Sequence, residues 1–362
     1  MLVVITFSLI ALFLTYLESK GIKGGMKCGF VLVTILGCIH YNYGNDYMSY
    51  YNLYNEIASI PFDFRKVISG EIFHDTGWVF LNYMFKHIGG FFVLVAVLNI
   101  LQNIIIYKFI IRNLDVKWRT FAVFIYLFST NFYLLNFSMM RQGLVVAIFI
   151  FAMMFINERR WIIAMLLIWL STLIHSSAIV LMPFIFWGFF PLNKVKLITI
   201  SYVLIMVFFA VYSDAVDIIL DQVLTYEDFQ VYARRYSDNN VGASLSIGYM
   251  INLLPLVVSL VYFMQQKADA DSERRLVLLS ACSFLVLPFS TAISTIGRIG
   301  IYFSSIGIVA LPIAYSKLRP NYIKFMLIAI FVLITLYDYY LFLTGDVFGN
   351  SYAEFHTIFE AI

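Results

Sequence analysis

Charge is what this chain lacks most. Asp, Glu, Lys and Arg make up 12% of its 362 residues, where soluble domains carry about a quarter, so a water-soluble globular fold is excluded. Cysteine is nearly as scarce. Cys28, Cys38 and Cys282 all lie inside apolar runs, with no CxxC pair and no Cys/His cluster, which rules out a disulfide framework and a zinc site. No G-x-G-x-x-G or Walker pattern occurs, and nothing indicates a nucleotide site or a nucleic-acid partner. Internal repeats and low-complexity segments are absent too.

What is present is apolar sequence. Hydrophobic residues reach 62%, mean hydropathy is +0.87, and runs near twenty residues recur from end to end, each long enough to cross a bilayer. The runs are continuous rather than alternating, which excludes a β-barrel. The expected fold is an all-α polytopic membrane protein, a single integral domain over 1–362. It should hold about 11–12 transmembrane or re-entrant helices and two long outer loops, 44–90 and 213–245. The first span lacks a basic leader and is followed by Lys20, Lys23 and Lys27. That pattern predicts a retained helix with its N-terminus outside.

The basic residues set the topology. Six short turns, beginning near 18, 112, 157, 193, 265 and 317, hold 16 of the 24 Lys and Arg but only 6 of the 21 acids. By the positive-inside rule they are cytoplasmic, and both termini fall outside. Arg159-Arg160 and Lys194/Lys196 then share a side, so the apolar stretch 161–190 between them must cross and return. Its two legs of about fourteen residues measure roughly 21 Å each, short of a hydrocarbon core about 30 Å thick. The bend at His175-Ser176-Ser177 is expected below the outer surface, at the base of an outward-facing cavity.

Several outer residues then become candidates. Arg141 and Arg298 each read as the head of a helix, in M-M-R-Q-G and T-I-G-R-I-G-I-Y. Together with Arg234 and Arg235 they suit a phosphorylated ligand, because guanidinium matches phosphate oxygens bidentately; lipid snorkelling is the alternative. His175 suits proton transfer in a wet intramembrane cavity, unless it is a buried histidine bonded to a helix carbonyl. Asp46, in G-N-D, is a second proton acceptor or a loop cap. Tyr47, Tyr50, Tyr51 and Tyr54 fall on one helical face, which reads as an interfacial aromatic belt or a sugar-stacking rim. Residues 77–88 are too short to span and are expected as an interfacial or re-entrant helix. Asp214, Asp217 and Asp221 read as a solvated helix face, the alternative being a divalent-cation site, for which they lack a defined spacing.

R-Q at the head of an apolar helix, followed some thirty residues later by H-S-S-A and a proline, resembles the EpsG-type, Wzy-like polymerases of bacterial polysaccharide synthesis. G-N-D-Y-M-S-Y-Y-N-L-Y, D-T-G-W-V-F-L-N and G-R-I-G-I-Y extend the resemblance over about residues 40–305. Such relatives usually place an acid, a proline, a glycine and an aromatic in the middle stretch; here it is Asp75-Thr76-Gly77-Trp78, without the proline.

The resemblance implies a GT-C-like glycan polymerase in the bacterial inner membrane, with its site facing outside. It would move a growing glycan from undecaprenyl diphosphate onto a new lipid-linked repeat unit. His175 and Asp46 would serve as catalytic groups, and Arg141, Arg298, Arg234 and Arg235 would hold the diphosphate. Tyr47, Tyr50, Tyr54, Gln142 and Tyr302 would contact glycan. No metal or cofactor is implied; the partners are the undecaprenyl-diphosphate-linked oligosaccharide, membrane lipids and a chain-length regulator protein. The competing readings are a flippase for the same glycan, which would need polar residues toward both faces, and an O-acyltransferase, whose donors are cytosolic.

Overall fold

Two glycines start the bundle. Helix α1 (Leu2–Ser19) and helix α2 (Gly25–Ile39) run back to back. A Cβ at Gly29 would lie 2.8 Å from the Ala11 carbonyl oxygen, and one at Gly25 would strike the Leu14 carbonyl. Only hydrogen fits there, so small residues four apart let the backbones touch where hydrophobicity alone gives helices in lipid no reason to associate.

The computed structural model describes residues 1–190, 192, 195–212, 253–265, 271–292, 294–320, 322–345 and 348–360. It is almost entirely helical among these residues, as composition required. Four of the described helices are long and apolar enough to cross a membrane, five if one bent pair counts as a span. The chain forms two compact units, Met1–Gly188 with Val332–Ile362, and Phe189–Phe331.

In the first unit a short β1 (His40–Tyr41) follows α2, and then come α3 (Tyr47–Ser59), α4 (Phe64–Ile68) and α5 (Thr76–Ile88). Helix α6 (Gly90–Asn113) is 24 residues long, about 36 Å at 1.5 Å per residue. Helices α7 (Val116–Phe128), α8 (Leu135–Ser138), α9 (Met140–Asn157) and α10 (Trp161–Ile174) complete this part. A buried polar seam joins them. Tyr126 donates to Asn103 Oδ1 at 2.9 Å, and Asn136 donates to the Tyr126 hydroxyl at 3.2 Å.

The unit has two ends with different chemistry. At one end the basic turns meet: Arg119 pairs with Glu18 at 3.0 Å, and Arg112 with Glu158 at 2.6 Å. At the other end β1 pairs antiparallel with β2 (His356–Thr357), and the Met1 amino group donates to the Ala353 carbonyl at 2.7 Å. Both terminal segments therefore lie at the end opposite the basic turns.

The stretch 161–190 is broken at His175, whose backbone is extended (φ −151°, ψ 116°), and continues as a 3-10 helix, Ser176–Phe189. Gly188, near the end of the second leg, sits against the ring of Trp161, the first residue of the first leg. The stretch is thus a hairpin with His175 at its tip, as the charge pattern required. The second leg departs from expectation: at about 2.0 Å per residue, fourteen residues of 3-10 helix reach roughly 28 Å.

In the second unit Val195–Val211, Leu254–Gln265, Asp271–Ala281, Ser283–Ala292, Ser294–Ser304 and Gly307–Lys317 are helical. Arg298 does not begin a helix; it lies inside Ser294–Ser304 and is exposed. Gly297 and Gly300, small residues that would let a ligand approach the backbone, face protein atoms instead. A Cβ at Gly297 would come within 3.3 Å of Ser290 Cβ, and one at Gly300 within 3.6 Å of the Ser283 carbonyl. The bend falls after Ser304, where this helix meets Gly307–Lys317 at 52°. Arg234, Arg235, Asp214, Asp217 and Asp221 lie outside the described residues.

Candidate active site

Asp75 precedes the first turn of α5, where an aspartate ordinarily accepts N–H bonds from its own helix. It makes no such bond. Its Oδ1 instead accepts the backbone N–H of Ser176 at 3.0 Å, capping the 3-10 leg that starts after His175. Its Oδ2 accepts from Arg141 Nη1. The same oxygen lies 3.7 Å from His175 Nδ1 and 3.5 Å from His74 Nε2. One carboxylate, only 1% exposed, therefore gathers a guanidinium and two imidazoles from three separate parts of the chain.

Close packing makes this convergence possible. A Cβ at Gly77 would sit 2.9 Å from both Leu173 Cβ and the Leu173 carbonyl oxygen. The glycine lets α5 touch the last turn of α10 and sets Asp75 against the hairpin tip. Arg141, in the first turn of α9, lies with its Cζ 4.9 Å from the centroid of the Phe73 ring and 5.5 Å from that of Tyr50. Its Nε donates to the Tyr50 hydroxyl at 3.4 Å.

The electrostatics follow from the packing. Burial works to raise the Asp75 carboxyl, but the adjoining His175 and the charges of Arg141 and His74 outweigh it, so the group is held below the usual carboxylate value. At 3.7 Å the His175 contact is long for a hydrogen bond; His175 Nδ1 is buried without a hydrogen-bond partner. The contact is electrostatic.

The tyrosine face is helical as expected, but it turns inward. Tyr47, Tyr50 and Tyr54 are buried in one cluster with Trp78, Phe85 and Phe91. Tyr47 and Tyr54 pack their rings against Phe91, and neither an interfacial belt nor a sugar-stacking rim fits that burial. Gln142 and Tyr302 are likewise buried, in the first and second unit respectively. Asp46 precedes α3 without a side-chain capping bond to it and occupies a different polar group: its N–H donates to Ser138 Oγ at 3.3 Å, and its carboxylate accepts from Asn45 at 3.2 Å. The adjacent Gly44 N–H donates to Ser351 O at 3.0 Å, which ties this corner to the C-terminal tail.

Asp75, His74 and Phe73 are not among the residues that the sequence singles out. Their signal was an acid next to a histidine, ahead of a glycine that opens an amphipathic helix.

A family match covers residues 27–355. The chain belongs to the EpsG family. Membership in EpsG supports a polysaccharide polymerase in general, and the apolar helices agree with a membrane enzyme of that kind. No curated protein and no solved structure matches the chain. Within the EpsG match lie all the residues around Asp75, including R-Q-G at the head of α9 and H-S-S-A at the hairpin tip.

Proposed function

We propose that this chain polymerises lipid-linked oligosaccharide repeat units at the outer face of the bacterial cytoplasmic membrane. The donor is a growing glycan on undecaprenyl diphosphate, and the acceptor is one repeat unit on the same carrier. The observation that carries this reading is the shared carboxylate: Asp75 brings Arg141 and His175 to one place.

In the proposed step an acceptor hydroxyl oxygen bonds to the anomeric carbon of the donor sugar. The bond from that carbon to the diphosphate oxygen breaks, and its electron pair leaves with the lipid diphosphate. The hydroxyl proton passes to His175 Nε2. Asp75, facing Nδ1, stabilises the imidazolium that forms, as a carboxylate does behind a catalytic histidine. Arg141 faces the charge developing on the leaving diphosphate, and a preorganised cation in a dry site is an effective stabiliser of such charge. Arg298, Arg234 and Arg235 stay candidates for binding a phosphorylated ligand, and Asp46 for the base.

A flippase would need a comparable site open to the opposite face. At that end the acids Glu18 and Glu158 are taken up by Arg119 and Arg112, which favours the polymerase. The test is to incubate the purified protein with a lipid-linked repeat unit. A ladder of longer lipid-linked glycans with release of lipid diphosphate is the expected result. Unchanged repeat units would sink the proposal.

A further inference from the structure

His74 is the exposed member of the group around Asp75. Its side chain is 64% accessible, against 16% for His175 and 18% for Arg141, so an anion arriving from water meets it first. Phe73 holds both flanks. Its ring centroid is 4.3 Å from that of His74 and 4.9 Å from Arg141 Cζ. The three nitrogen bases thus surround one carboxylate oxygen that can balance only one of them.

Charge counting shows what is missing. With both imidazoles neutral, Arg141 and Asp75 cancel, and the site offers no net charge to a phosphorylated ligand. With one imidazole protonated, the site gains a cation that only an added anion can balance. His175 must keep a free nitrogen to act as a base, so the extra proton belongs on the other ring. Imidazole is the side chain that changes charge near neutrality, and His74 is the one of the two rings open to solvent.

We infer that His74 is a further ligand of the diphosphate and takes up a proton from solvent when that anion binds, which makes binding proton-linked. This rests on the reading of the Arg141–Asp75–His175 group as a diphosphate site. His74 faces Asp75 on its own segment; Arg141 from α9 and His175 at the hairpin tip share the same carboxylate oxygen, and Arg141 Nε also donates to the Tyr50 hydroxyl of α3.

Calorimetry on the full chain in phosphatidylcholine nanodiscs tests the inference. Inorganic diphosphate and farnesyl diphosphate are titrated near pH 7 in two buffers of different ionisation enthalpy. We expect proton uptake on binding, with farnesyl diphosphate the tighter ligand if the anion comes from a lipid. His74→Gln should remove the uptake and weaken binding roughly two- to fivefold, the size of an exposed charge pair. His74→Lys should restore affinity without proton uptake. If His74→Gln leaves both quantities unchanged, or if His175→Asn removes the uptake instead, His74 does not have this role and the diphosphate site stands. If neither probe binds the unaltered protein and Arg141→Ala changes nothing, the diphosphate reading itself fails and takes the inference with it.

Discussion

Asp75 Oδ1 accepts the backbone N–H of Ser176 at 3.0 Å, so the acid ahead of one helix caps the start of another 101 residues later in the chain. The bond fixes the hairpin tip to α5 and leaves Oδ2 for Arg141 and the two histidines. It also explains the break at His175, since the 3-10 leg begins with an N–H satisfied from outside its own segment.

Removing one partner of a buried pair leaves the other charge unpaired, at about 3–5 kcal/mol. Asp75→Ala should therefore lower thermal stability and abolish chain extension. Asp75→Asn retains an acceptor for Ser176 and should fold better, yet it should still lose most activity. The double variant Asp75→Leu with Arg141→Met removes both charges and should regain stability without activity. A double-mutant cycle on melting temperature measures the coupling; strict additivity would show that the pair is not coupled.

Gly77 meets the Leu173 backbone, which cannot move aside as a flexible side chain would. Gly77→Ala should push α5 from α10, stretch the Asp75–Ser176 bond and cost about 1–3 kcal/mol. Melting of the detergent-solubilised variant checks this. A melting temperature equal to that of the unaltered protein would contradict the close approach.

His175→Asn should stop extension while the protein still inserts and accumulates normally. Gel analysis of polymer length in cells that carry the variant reads the outcome. Retained length would leave His175 a packing residue and pass the role of base to Asp46.

The pH dependence has a definite sign. The Asp75 carboxyl is held lower in the folded protein than in the unfolded chain. Its contribution is therefore fully present at neutral pH, and it fades as pH falls from the ordinary aspartate value of about 3.9 through the folded value. Acid titration of melting temperature should show an extra loss in the unaltered protein across that range. In Asp75→Asn that increment should be missing.

Topology is testable by labelling after Cys28, Cys38 and Cys282 are replaced by alanine. A cysteine at Arg159 should be shielded from an impermeant outside reagent, and one at His356 should react. Labelling of both from one side would contradict the separation of the two ends seen in the first unit.

Much of this was legible in the residues themselves. Scarce charge and long apolar runs require a helical membrane protein, because in lipid each backbone group must be satisfied within its own segment. The basic pairs on either side of 161–190 required a hairpin there, since both flanks carry the cytoplasmic signal. Arg141 and His175 stood out because ionisable groups are costly in such surroundings. What joins them was not legible. Asp75 lies 66 residues before Arg141 and 101 before Ser176, and its local pattern is that of an ordinary helix cap. The tyrosine face was legible as a helix but not in its direction, because one aromatic stripe suits a core, a bilayer interface or a sugar equally well. The carboxylate's partners were decided by the contact of Gly77 with Leu173, and the tyrosines by Phe91 and Trp78. Such contacts between distant segments exist only once the helices have packed.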